Sequence, residues 1–159
     1  MFGVLAACGP SSAELRAAKT AQYAAGPNQM LDVAVQVAQR KYEVKDIDPA
    51  KNVFVTEWQW YSAEGGRRGT SNEGNGDYVV NAHGTDVRLQ LLIKVVSVDP
   101  GHVAVTVVPH VFQLVAGSPQ PRELKEEDPN VPPWVHGRVD DLTIDIYNAS
   151  KQFAEPANR

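Results

Sequence analysis

The stretch 86–115, DVRLQLLIKVVSVDPGHVAVTVVPHVFQLV, constrains the fold more than any other part of the chain. Val87, Leu89, Leu91, Ile93 and Val95 alternate with Arg88, Gln90 and Lys94. A period of two marks a strand with one buried face. Asp99-Pro100-Gly101-His102 is a turn signal, and Val, Thr and Phe dominate the run after it. The pattern predicts a long antiparallel hairpin with the rest of the chain arranged to cover it. A first strand over 86–98 is about 43 Å long at 3.3 Å per residue, so the sheet must twist, coil or bulge. Pro109 lacks a backbone donor, which places the second strand at an edge there, or at a bulge. Near the turn, Val96 and Val98 join Val103, Val105 and Val107, so both faces are apolar. One of those faces is expected to meet something other than the chain's own helices.

The flanking segments supply that cover. Gly26-Pro27-Asn28 opens a helix, with proline near the first helical position. Leu31, Ala34, Val35, Ala38 and Tyr42 then recur at spacings of three and four, predicting an amphipathic helix over 28–41. Residues 42–47 and 53–61 read as a second hairpin, turning at Asp48-Pro49-Ala50-Lys51-Asn52. In its second strand Phe54, Thr56, Trp58 and Trp60 fall on one face. Trp58 and Trp60 have two readings: core packed on a helix, or an exposed aromatic pair at a partner hot spot. Val135, Val139, Leu142, Ile146, Ala149 and Phe153 form a last helical stripe, starting between Gly137 and Asp140. Asp140 and Asp141 then suit its N-terminal dipole. Residues 13–25 have two readings: their Ala, Glu, Leu and Arg content favours helix, while Thr20, Gln22 and Tyr23 before Gly-Pro suit a short strand, which we place over 19–24. The Gly- and Asn-rich stretch 62–85 reads as a loop, with a short strand at Tyr78-Val79-Val80. The proline-rich, acidic stretch 116–133 reads as a solvated loop. Helices segregated from an antiparallel sheet make an α+β two-layer fold, here about four to five strands packed against two helices.

Composition narrows the function. The 159 residues carry a net charge of -4 with scattered basic residues, which argues against a nucleic-acid surface. One cysteine, Cys8, excludes an intrachain disulfide. His83, His102, His110 and His136 lack metal-pair spacing, and no Gly-x-Ser-x-Gly, dinucleotide fingerprint or Cys-x-x-Cys occurs. Gly65-Gly66-Arg67-Arg68-Gly69 has no following Lys-Ser/Thr, so it is not a phosphate loop. We therefore expect no enzyme, no bound metal and no cofactor.

Leu5-Ala6-Ala7-Cys8 resembles the lipobox of bacterial lipoproteins. That resemblance implies cleavage before Cys8 and acylation of its thiol. Two or three acyl chains, at about 0.8 kcal/mol per buried CH₂, hold a protein durably at a membrane. Gly9-Pro10-Ser11-Ser12 reads as the start of a tether, and the lack of Asp directly after Cys8 implies sorting to the outer membrane. Residues 1–7 are then a residual signal peptide, 8–17 the lipid anchor and tether, 18–155 a single α+β domain and 156–159 a tail. Ala25-Gly26-Pro27-Asn28 leading into a helix, then Tyr42-Glu43-Val44, Asp48-Pro49 and Val53-Phe54-Val55-Thr56-Glu57-Trp58, resembles envelope lipoproteins with small α+β domains. The lipoprotein C subunit of the outer-membrane barrel-assembly machinery is one such. The resemblance implies a periplasmic scaffold or accessory subunit that binds an envelope protein. Trp58, Trp60, Val96, Val98, Val103 and Val105 are the expected partner-binding residues. The alternative is a carrier of a small apolar ligand or lipid, with a pocket between sheet and C-terminal helix lined by residues such as Leu91, Ile93 and Leu142.

Overall fold

A computed structural model of the chain describes residues 11–68 and 85–155. The expected lipobox Leu5-Ala6-Ala7-Cys8, the short strand at Tyr78-Val79-Val80, His83 and the tail 156–159 lie outside the described residues. The described residues form an α+β fold of three α-helices and one eight-stranded antiparallel sheet. The helices are α1 (Ser12–Thr20), α2 (Pro27–Ala38) and α3 (Pro133–Ala149). The strands are β1 (Gln22–Tyr23), β2 (Val44–Asp48), β3 (Val53–Thr56), β4 (Gln59–Tyr61), β5 (Val87–Asp99), β6 (His102–Gln113), β7 (Arg122–Leu124) and β8 (Ala154–Glu155). They pair in the order β2-β3-β5-β6-β1-β8, with β4 on β5 and β7 on β6. The sheet has more strands than periodicity predicts because β1, β4, β7 and β8 are two or three residues long. A period of two cannot be recognised over so few positions.

The central hairpin is as expected: β5 and β6 pair along their whole length, with a register shift between Ser97 and Asp99. Pro109 lies on a free edge. The Val95 N–H donates to the Asn52 carbonyl at 2.9 Å, and the Leu91 N–H to Thr56 Oγ1 at 3.0 Å. Odd-numbered β5 residues therefore turn their backbone toward β3. Their β6 partners, Val105 and Pro109 among them, turn theirs outward between the short contacts of β1 and β7. The donor that proline lacks would have faced away from β5, so no β5–β6 hydrogen bond is lost.

The same odd-numbered positions carry the core. Val87, Leu89, Leu91, Ile93 and Val95 pack with Val103, Val107 and Val111 of β6 and with Phe54. Met30, Leu31, Ala34, Val37 and Ala38 of α2 and Val135, Leu142 and Ile146 of α3 cover them. Leu91, Ile93 and Leu142, the expected lining of a carrier pocket, are fully buried in this one cluster.

Three expectations need correction. Residues 12–20 are helix, not tether, and the expected strand over 19–24 shrinks to β1. The Ala, Glu, Leu and Arg content favours helix, and the Ser11 side chain caps it by accepting from the Glu14 N–H at 3.1 Å. This helix packs on α3 through the Lys19–Asp140 ion pair at 2.7 Å and the Asn148–Glu14 hydrogen bond at 3.2 Å. Helix α1 thus packs with the rest of the described residues from Ser12 onward. Second, α3 starts at Pro133, earlier than the apolar stripe implies, because proline takes the first helical position. Asp140 and Asp141 are consequently mid-helix, and Asp140 serves the ion pair to Lys19. Third, the loop 116–133 contributes β7, which adds to β6 opposite 111–113.

Candidate functional site

One extra residue in the chain decides which side chains leave the core. In β3, Phe54 is opposite Ile93 and Val55 opposite Leu92, while in β4, Gln59 is opposite Leu89 and Trp60 opposite Arg88. From Val55 to Gln59 the chain advances four residues while β5 advances three from Leu92 to Leu89. This is a β-bulge, and it exchanges the two faces of the strand beyond it. Phe54 and Thr56 point into the core, and after the bulge Tyr61 does so as well. Trp58 and Trp60 are delivered to the opposite face. Sequence alternation placed Phe54, Thr56, Trp58 and Trp60 together; the bulge separates them into two pairs.

Thr56 closes the gap that the bulge leaves. Its hydroxyl accepts the Leu91 N–H, and its carbonyl accepts from Gln90 Nε2 at 3.0 Å. Glu57, inside the bulge, donates its N–H to the Glu43 carbonyl at 2.7 Å. Its carboxylate accepts from the Trp58 N–H at 3.0 Å and pairs with Lys45 Nζ at 3.0 Å. The hydrogen bond from Lys45 holds the Glu57 carboxyl below its usual range, with the Trp58 N–H and the Arg88 charge adding to the effect.

On the outer face the delivered indoles meet β5 and β6. Trp58 packs edge-on against Phe112, ring centroids 5.4 Å apart. The Arg88 guanidinium lies 5.0 Å from the Trp58 ring and 5.9 Å from the Trp60 ring. Cation–π contact of this kind orients a guanidinium. Trp60, Arg88, Phe112 and Glu123 are consecutive cross-strand neighbours, so they form one row across the sheet. Beyond that row, even-numbered positions run toward the β5–β6 turn: Gln90 with His110, Leu92 with Val108, Lys94 with Thr106, then Val96 with Ala104. None of these side chains is buried, and Val96 and Val98 stand 50% and 48% exposed. The strip from Arg88 to Val96 is about 26 Å long at 3.3 Å per residue. Trp, Phe and Arg stand at one end of this strip and exposed valines at the other.

The expected partner-binding set divides accordingly. Trp58, Trp60, Val96 and Val98 lie on this outer face. Val103 does not: at 2% exposure it belongs to the core, opposite Tyr23. Val105 is half-buried and packs against the same core. Their odd numbering puts them on the helix-covered side. Arg88, Leu92, Val108 and Phe112 were missed, although they alternate with the core positions that made β5 legible.

The remaining polar groups among the described residues serve the fold. Trp134 Nε1 donates to the Ala63 carbonyl at 2.8 Å, and Arg138 Nη2 to the Gly65 carbonyl at 3.0 Å. Arg138 also lies 4.4 Å from the Tyr61 ring. Gly65, at φ +89°, sits against Trp134. Arg67 Nε donates to Gln59 Oε1 at 2.9 Å, and Arg68 pairs with the buried Asp86 at 3.1 Å. The glycine–arginine run thus ties β4 to α3 and β5. No group of His, Cys, Asp and Glu among the described residues is arranged to hold a metal ion. A cleft of about 110 Å³ beside Tyr42, Glu57, Trp58 and Arg67 opens next to the aromatic cluster. No helix among the described residues is long and apolar enough to cross a membrane. No protein-family model matches this sequence, and no curated protein is similar to it.

Proposed function

We propose that this chain is a lipid-anchored accessory or scaffold protein of the bacterial envelope. In this reading Cys8 carries the acyl chains and holds the domain at the periplasmic face of the outer membrane. The outer sheet face docks a protein partner. The observation that carries the docking role is the Trp58–Trp60–Arg88–Phe112 cluster, displaced from the core by the bulge at Glu57. Trp and Arg dominate binding energy at interface hot spots, where a few residues cost more than 2 kcal/mol each on truncation. The carrier alternative is less well supported, since Leu91, Ile93 and Leu142 fill the space where its ligand would sit.

Two measurements test the reading. Mass spectrometry of the protein from native membranes is expected to find diacylglycerol-modified Cys8 at the mature N-terminus; a free, unmodified Met1 would remove the anchor. A photo-crosslinker at Thr106 or Gln90 is expected to capture one discrete envelope protein, whereas one at Gln36, on the exposed side of α2, captures none. Equal capture from both sides would remove the docking role from the sheet face.

A further inference from the structure

His102, in the turn between β5 and β6, touches a carboxylate with each ring nitrogen. Nδ1 lies 2.5 Å from Asp99 Oδ1, and Nε2 lies 3.2 Å from Glu155 Oε2. Asp99 ends β5, whereas Glu155 belongs to β8, the last strand described. A neutral imidazole has a single N–H and donates to one acceptor; only the imidazolium donates to both. When the ring is neutral, one of its two nitrogens presents a lone pair to a carboxylate.

The strand so fastened has little else to hold it. β8 pairs with β1 at two positions, Gln22 with Glu155 and Tyr23 with Ala154, and β1 is itself two residues long. The Phe153 carbonyl accepts from the Ala24 N–H at 2.8 Å, and Phe153 and Ala154 are only partly buried. Short edge strands of this kind open at a small fraction of the global unfolding free energy. A single charge-assisted contact is therefore a substantial share of what keeps β8 in place.

We propose that His102 is a proton-operated latch: as imidazolium it fastens the C-terminal strand to the β5–β6 turn, and as neutral imidazole it lets that strand loosen from the edge of β1. The loosened state uncovers the outer backbone edge of Gln22 and Ala24, to which another strand can add. The surroundings favour the protonated form. The Asp99 hydrogen bond is the largest influence raising the His102 pKa above its ordinary 6.5, and Glu155 adds to it, against a smaller desolvation cost. Other neighbours do not compete. Tyr23 in β1, with its pKa pushed up to about 12 by burial, stays neutral. Gln22 and Gln29 carry no charge. The N-terminus of α2, across the cleft lined by Gly26, Pro27 and His102, opposes the imidazolium weakly and has no acidic residue in its first turn. Because the folded pKa is raised, the latch is fully closed below the unfolded value and is lost as pH rises through the folded one.

The test is amide hydrogen exchange by NMR on the whole chain, at about pH 5.5 and about pH 8.5, on either side of the ordinary histidine range. Protection is corrected for the intrinsic pH dependence and divided by that of core amides in β3. Protection of Ala24 and Glu155 is expected to fall roughly two- to fivefold between the two conditions, in step with the His102 ring shifts. In His102→Gln, a turn substitution that leaves the core untouched, the fall disappears. Glu155→Gln is expected to lower the pH at which His102 titrates. Unchanged protection across the His102 titration, or an equal fall in His102→Gln, would overturn the latch.

Discussion

Replacing Thr56 by valine tests the bulge that turns the aromatic cluster away from the core. The two side chains have nearly the same shape, so the substitution exchanges one hydroxyl for a methyl. In the structure that hydroxyl is the acceptor for the Leu91 N–H at 3.0 Å, and both residues are buried. Valine leaves this backbone donor without an acceptor where water does not reach. The full desolvation penalty for such a group is about 1–3 kcal/mol. The added methyl and the β-propensity of valine offset part of it, on the order of 0.5 kcal/mol. A net loss of about 1–2 kcal/mol follows, read as a lower urea midpoint at constant m-value. Thr56→Ser separates polarity from volume: it keeps the acceptor and removes one methyl, costing about 1 kcal/mol or less. The expected order of stability is wild type, then serine, then valine. The Leu91 amide of the valine variant should also exchange faster than its neighbours in β5. A valine variant within about 0.5 kcal/mol of wild type, or more stable than the serine variant, would refute the assignment of the hydroxyl as a ladder substitute.

Gly65→Ala places a Cβ 2.8 Å from Trp134 Cγ at a backbone angle of φ +89°. Trp134 cannot swing aside without losing its bond to Ala63, so strain and overpacking together should cost about 2–4 kcal/mol in urea unfolding. Leu142→Ala should cost about 2–5 kcal/mol, as expected of a filled interface; a loss near zero would mean that α3 and the sheet already enclose free space. Val96→Glu is expected to leave stability within about 0.5 kcal/mol, because half of the side chain is already in water. The same variant should abolish crosslinking from Thr106, which a mass-resolved gel checks.

How much of this was legible in the chain depends on strand length and continuity. β5 presents thirteen residues with one buried face, so its alternation identified both the strand and its core positions. The helical stripes did the same for α2 and for most of α3. β1, β7 and β8 offer too few positions to show any period; β1 and β7 form along the edge of the longer β6, and β8 adds to β1. α1 was obscured by Thr20, its last residue, and by Gln22 and Tyr23, which belong to the strand that follows it.

The aromatic site was hidden by a subtler effect. Residues 53–61, VFVTEWQWY, alternate so regularly that a single unbroken strand is the simplest reading. A one-residue insertion leaves that pattern intact and reverses its meaning, because every side chain beyond it changes face. The trace that remains is Tyr61. In an unbroken strand it shares a face with Val53 and Val55, opposite Phe54, yet it is buried beside Trp134 with ring centroids 5.1 Å apart. A core aromatic at an odd position, following a core aromatic at an even one, requires an odd number of extra residues between them. The same parity rule moves Trp58 and Trp60 outward, beside Arg88 and Phe112. The burial of Tyr61 and the outward placement of the indoles are thus one structural fact, fixed by the register with β5. Deleting Glu57 should remove the bulge and preserve both: the shortened strand pairs one-to-one with β5, with Val55 still opposite Leu92, Trp60 opposite Arg88 and Tyr61 opposite Val87. The indoles should keep their fluorescence emission maximum, and a blue shift on their burial would refute a one-residue bulge.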